Sequence, residues 1–244
     1  MHNASVSRFE RAMALHIVER PSPNHDARAA AIDMLVLHYT GMKTAEEALA
    51  RLTDPSAKVS AHYTVDTEGR VWRHVPETRR AWHAGASFWA GEANVNGRSI
   101  GIELVNPGHE FGYVPFTEDQ IASLIELAQG ILARHAIPPA RVLAHSDVAP
   151  ARKTDPGELF PWPRLAEHGI GVWPVARSSQ SERRVTGGAA FAADLARFGY
   201  GVPPDVDVPL EAVVAAFQRH FRPSCIDGVA DSECTAILES LLAT

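Results

Sequence analysis

Apolar and polar positions divide the chain into two unlike stretches. Asp33–Tyr39 (DMLVLHY) is a near-continuous apolar run of strand length, the pattern of a strand covered on both faces. Thr44–Leu52 (TAEEALARL) reads as a short helix capped by Thr44. Ser60–Asp66 and Arg70–Val75 are β-rich runs on either side of a Thr-Glu-Gly turn, which predicts a hairpin. Ser99–Val105 (SIGIELV) is another strand, and Val142–Ala144 a short one leading into His145. The longest helix is predicted over Thr117–His135. Thr117 with Gln120 three residues on makes a capping box, and Ile121, Leu124, Ile125, Ala128, Ile131 and Leu132 form the buried stripe. Pro163–His168 reads as a last short helix. Strands with helices between them imply an α/β fold, a mixed β-sheet flanked by helices.

Periodicity stops over GVWPVARSSQSERRVT, so residues 171–186 read as a linker. After it come three short helical patterns, near Gly188–Phe198, Leu210–His220 and Asp231–Leu242, separated by turn formers. The expected division is a larger domain over 1–170, the linker, and a small three-helix C-terminal domain over 187–244.

Composition narrows the class. The 244 residues are 45% hydrophobic and 21% charged, which suits a globular chain, and the net charge of −6 with no basic stripe argues against a nucleic-acid partner. No stretch approaches the roughly 18–20 apolar residues of a membrane span. The first twenty residues hold only a short apolar run, Ala12–Val18, broken by His16, with no cleavage site after it. The cysteines are Cys225 and Cys234, too late for a lipid anchor and at no metal-binding spacing. A cytoplasmic location is expected of the chain as written; the alternative is the periplasm or cell envelope, had an export signal been removed.

The candidate chemistry lies at strand ends, where α/β folds place reactive groups. There are 12 histidines, and a lone histidine is more often a satisfied polar group than a ligand. His38 ends a buried strand, His145 follows another, and Asp155 lies ten positions later in ARKTDPG. Two imidazoles and a carboxylate suit a catalytic zinc, which keeps a fourth position for water; a structural site takes four protein ligands. Glu103 sits among Ile100, Ile102 and Leu104, so it belongs to the opposite strand face, exposed or aimed into a cleft. Of 23 basic residues only Lys43, Lys58 and Lys153 are lysine, so a lysine in the Asp155 loop hints that a compact point charge is wanted.

Five blocks carry a resemblance: LHYTG at 37–41, VSAHYTVDTEG at 59–69, AWHAG at 81–85, SIGIELVN at 99–106 and AHSDVAPARKTDPG at 144–157. In content and order, from about Val18 to Glu167, they resemble the type 2 N-acetylmuramoyl-L-alanine amidases, the AmpD/AmiD branch of the peptidoglycan-recognition fold. The tail, through AFQRHF and IDGVAD, resembles a three-helix peptidoglycan-binding module. The resemblance implies zinc held by His38, His145 and Asp155, with Glu103 as catalytic acid and Lys153 stabilising the oxyanion. An amide demands these parts: zinc lowers the pKa of its water to roughly 7, Glu103 moves that proton to the departing alanine nitrogen, and Lys153 opposes the developing charge.

His62 and His83, also in matched blocks, read as residues behind the ligands or in the substrate groove, since a third imidazole would close the open position. Tyr39, Trp82 and Trp89 are aromatic candidates for packing on sugar rings, with a core position the equal alternative. Arg152 suits a stem-peptide carboxylate, and Asn106 and Asn96 are lesser polar candidates. The implied partners are peptidoglycan or (anhydro)muropeptide fragments, in cell-wall turnover or recycling. Tyr39 after the first ligand favours the AmiD side, and the missing export signal the AmpD side. Rival readings are a phage-type endolysin, a recognition protein that binds without cutting, and a structural zinc protein. The first shares this chemistry, the second typically lacks a ligand, and the third wants a fourth one. A self-standing C-terminal module implies that deleting residues after about Thr186 spares cleavage of small muropeptides and weakens attachment to sacculi.

Overall fold

The structure is a computed structural model that describes residues 15–174 and 188–243. Its strands are β1 (Ile17–Glu19), β2 (His25–Ala27), β3 (Met34–Tyr39), β4 (Tyr63–Val65), β5 (Val71–Arg73), β6 (Arg79–Ala81), β7 (Ser99–Leu104) and β8 (Val142–Ala144). Its helices are α1 (Ala45–Thr53), α2 (Val95–Arg98), α3 (Gly108–Phe111), α4 (Glu118–Arg134), α5 (His145–Val148), α6 (Trp162–Glu167), α7 (Ala189–Phe198), α8 (Leu210–Phe221) and α9 (Ser232–Leu242). Six strands form one mixed sheet in the order β1-β5-β4-β7-β3-β8. The β4–β5 hairpin is antiparallel, and β7 and β8 flank β3 in parallel. β2 and β6 make a separate antiparallel pair. This is the mixed sheet flanked by helices that the sequence pattern implies.

Local signals explain where the helices start. Thr44 and Glu47 form a complete capping box on α1. At α4 only half of the expected box exists: Thr117 Oγ1 accepts the Gln120 amide, but the Gln120 side chain turns inward. It donates to the carbonyls of Val65 and Val105 at 3.0 and 3.1 Å, clamping α4 to the ends of β4 and β7. Two buried carbonyls outcompete an exposed cap, because an unpaired buried acceptor costs more than a solvated one. Leu127 joins the predicted stripe of α4, and Leu132 lies at its margin.

The period-2 alternation of the strands sorts everything else. Leu35 and Leu37 of β3, Ile100, Ile102 and Leu104 of β7, and Tyr63 and Val65 of β4 share one face, packed against α4 and Leu165 of α6. Alternate residues face the other way. There Met34 and Val36 of β3 and Leu143 of β8 share a core with Phe191, Leu195, Val213, Phe217 and Leu238 of the C-terminal helices. The same face, further along the strands, carries His38 and Glu103. The three C-terminal helices therefore lie directly on the sheet face that presents these residues.

Most of the expected linker, from 175 on, lies outside the described residues, as does the N-terminal apolar run up to residue 14; Ile17 and Val18 fall in β1. Cys225 and Cys234 are both free thiols. Among the described residues no helix is long and apolar enough to cross a membrane.

Candidate metal centre

Parallel pairing of β3 with β7 sets His38 beside Glu103. Pairing of β3 with β8 then brings His145, the first residue of α5, to the same sheet end. The loop that follows returns Asp155 to this point, and the Ser146 amide donates to the Asp155 carbonyl at 3.0 Å. The result is convergence of three buried donors. His38 Nδ1 lies 2.9 Å from His145 Nδ1 and 3.1 Å from Asp155 Oδ2, and His145 Nδ1 is 3.0 Å from that same oxygen.

Proton bookkeeping fixes what these atoms present. His145 Nε2 faces the Ala84 carbonyl at 3.1 Å, which can only accept, so a neutral ring keeps its proton there and leaves Nδ1 bare. Ser99 spends its hydroxyl proton on the Val95 carbonyl, so His83 Nε2, at 3.0 Å, donates to Ser99 Oγ. His83 Nδ1 must then accept from His38 Nε2, 3.0 Å away, which leaves His38 Nδ1 bare as well. Burial draws His38 down to about 4, with nearby His145 adding to the effect and Asp155 opposing it, and burial takes His83 well below its ordinary range. Burial also opposes the charge of Asp155, but the neighbouring His145 and His38 outweigh it and hold that carboxyl well below the usual range. With both rings neutral, three lone pairs thus face one another in a buried pocket, so the arrangement calls for a shared positive charge, the same preference that keeps Asp155 ionised. The donor set, two imidazoles and one carboxylate within 4.8 Å of one another, fits zinc.

Glu103 and Lys153 line a cleft of about 320 Å³ beside these donors. Glu103 Oε2 is buried with no hydrogen-bond partner among the described residues. Burial and the Asp155 carboxylate push Glu103 well above the ordinary carboxylate range, and the Lys153 ammonium pulls the other way. A carboxyl shifted in this direction suits a group that takes up a proton and hands it on, the chemistry of general acid–base catalysis.

The remaining candidates fall into two groups. Tyr39, Trp82, His83 and Arg152 line the cleft. Tyr39 is anchored at its hydroxyl by His109 Nδ1 at 2.9 Å and Thr154 Oγ1 at 3.1 Å. Trp82 Nε1 donates to Asp26 Oδ2. Arg152 donates to the carbonyls of Ala84 and Ala86, joining the two loops that frame the cleft. His62, Asn106, Asn96 and Trp89 lie away from its walls. His62 accepts the Gly101 amide at Nδ1, and burial with the adjacent Arg28 charge lowers it to about 3. Asn106 ties the Gly108 amide to the Val114 carbonyl. Asn96 Oδ1 accepts the amides of His83 and Ala84, and Trp89 is buried against Phe198 and Tyr200.

Two supports of the site, one around His83 and one around His62, escape sequence reasoning. Ser99 fixes the tautomer of His83, and Gly101 makes room for that ring, since a Cβ at 101 would lie 2.4 Å from it. Arg28 is the second: its guanidinium donates to the carbonyls of Glu77, Gly97, Arg79 and Ser99 and touches His62, binding the segments around β6 and β7. Nothing in its local sequence distinguishes it from the other arginines of this chain.

A sequence model of the family described as N-acetylmuramoyl-L-alanine amidase matches residues 28–158. The chain is 43% identical over 252 residues to the N-acetylmuramoyl-L-alanine amidase AmiD of Escherichia coli, covering 93% of this chain and 90% of that one. A solved complex of E. coli AmiD with the substrate anhydro-N-acetylmuramic acid-L-Ala-D-gamma-Glu-L-Lys superposes with a TM-score of 0.80, covering 89% of this chain and 92% of that one at 43% identity. AmpDh3 of Pseudomonas aeruginosa in complex with anhydromuramic pentapeptide gives a TM-score of 0.74 at 35% identity, with 86% and 90% covered.

Proposed function

The chain belongs to the N-acetylmuramoyl-L-alanine amidases, and from that membership we propose a zinc-dependent hydrolase that cuts the amide between N-acetylmuramic acid and L-alanine. Its substrates in this reading are peptidoglycan fragments, anhydro-muropeptides among them, and its role is cell-wall turnover. The anhydro-muropeptides bound by the two structural relatives support that substrate class. The observation that carries the metal reading is the meeting of three bare donor atoms at His38, His145 and Asp155.

Zinc bound by these three supplies Lewis acidity, bringing the pKa of water towards roughly 7 and polarising an amide carbonyl. The chain's own residues do the rest. Glu103, on the strand beside His38, takes a proton from the attacking water and delivers it to the departing L-alanine nitrogen. Its buried setting holds the transferred proton until the nitrogen needs it. The Lys153 ammonium, in the same cleft, opposes the charge that develops on the carbonyl oxygen. Arg152, which lines the cleft, offers the part of its guanidinium not held by the Ala84 and Ala86 carbonyls to a stem-peptide carboxylate, and Tyr39 and Trp82 offer aromatic faces to the sugar.

Glu103→Gln separates metal binding from proton transfer. It keeps the shape and all three metal donors but cannot accept a proton. Zinc content is expected to match the parent while turnover of an anhydro-muropeptide falls by ~10²- to 10⁴-fold. Parent-like turnover in the zinc-loaded variant would remove Glu103 from the mechanism.

A further inference from the structure

A second buried polar cluster lies behind the metal donors and uses none of the residues assigned above. Its centre is Asp147, two residues after His145 on α5 and 1% exposed. Asp147 Oδ2 accepts the Ala144 amide at 2.7 Å, from its own turn. The same oxygen accepts His220 Nδ1 at 2.7 Å from α8, and Oδ1 accepts the Tyr200 hydroxyl at 2.7 Å from the segment after α7. His220 and Tyr200 are each 2% exposed. The His220 ring lies flat between Trp162 and Phe221, with centroids 3.8 and 3.9 Å away. Tyr200 packs edge-on against Trp89. Each partner is thus held by its own packing before it reaches the carboxylate.

We propose that Asp147, Tyr200 and His220 are positioning residues for the metal site, through which the C-terminal helices hold the turn that presents His145. This rests on the zinc reading above. The turn is short: Ala144 precedes the ligand, Ser146 follows it with its amide on the Asp155 carbonyl, and Asp147 closes it. A buried carboxylate that loses one of its donors moves to recover the bond or admits water, because an uncompensated buried charge is costly. Either response pivots the turn and displaces His145 Nδ1 relative to His38 Nδ1 and Asp155 Oδ2. Metal sites tolerate little of this, since supporting residues that orient ligands typically govern metal affinity by 10–100-fold.

The test uses the full chain and two readouts: zinc affinity by competition with a chromophoric chelator, and thermal unfolding of the metal-free protein. His220→Leu removes the donor and His220→Asn restores an N–H near the position of Nδ1; both lose the stacked ring. A purely structural role predicts that both replacements lower the melting temperature while zinc affinity of the folded protein stays at the parent value. The positioning role predicts that zinc affinity falls when the donor is lost and returns with it. His220→Leu should bind zinc ~10-fold or more weakly, and His220→Asn should recover most of that loss. Tyr200→Phe, which keeps the ring and removes one hydroxyl, should weaken zinc binding in the same direction, and it carries the test if His220→Leu fails to fold. Parent-like zinc affinity in Tyr200→Phe and His220→Leu overturns the proposal. Failure of the unaltered chain to take up zinc overturns the metal reading itself, a result distinguishable because it needs no variant.

Discussion

Asp155→Ala is expected to abolish zinc binding and lower amide cleavage by at least ~10³-fold. The two halves of this outcome come from one cause. Asp155 supplies the only anionic donor of the three, so its loss leaves two neutral imidazoles to hold a divalent cation. The variant is also expected to melt lower than its parent in the metal-free state, because His145 and His38 hold the buried carboxylate ionised in the fold. Metal analysis of the purified variant, turnover of an anhydro-muropeptide, and melting of both proteins in chelator check all parts. Chelation of the parent should reproduce the loss of activity, and zinc should restore it to the parent but not to the variant.

Ending the chain at Pro174 is expected to destroy the catalytic fold rather than release a smaller working enzyme. Met34, Val36, Leu143 and Val148 are essentially inaccessible to water, and their cover includes Phe191, Leu195, Val213 and Phe217 of the C-terminal helices. Burial of one such aliphatic side chain is worth about 1.5–3 kcal/mol, so uncovering four removes on the order of 6–12 kcal/mol. A domain of this kind has a total stability of about 5–15 kcal/mol. The truncated chain also leaves Asp147 without Tyr200 and His220. The expected result is an insoluble or non-cooperatively melting fragment with no zinc-dependent cleavage of small muropeptides. A soluble fragment with a cooperative melt and parent-like turnover would show that the sheet face needs no cover, and that the helices are the detachable module the linker pattern suggested.

How much of this was legible in the sequence depends on the length scale of each feature. β3, β7 and α4 are long and periodic, so their apolar faces alone predict them. β1, β2 and β6 are three residues each, too short for any periodicity, and exist because neighbouring strands offer them edges. The donors His38, His145 and Asp155 stand out by strand-end placement and by resemblance, and the fold brings all three together. The Gln120 clamp was invisible because its competing partners, Val65 and Val105, lie far from it in sequence. The Asp147 cluster escaped for the same reason: its two side-chain donors are 53 and 73 positions away. Local sequence can announce a turn and a ligand, but the bonds that keep them still are tertiary.

Anomalous diffraction at the zinc absorption edge, from crystals of the full chain grown with one equivalent of zinc, would locate the metal outright. One strong peak is expected in bonding contact with His38 Nδ1, His145 Nδ1 and Asp155 Oδ2, at about 2.0–2.2 Å from each. Zinc bound elsewhere, with those three side chains hydrogen-bonded only to one another, would contradict the zinc reading.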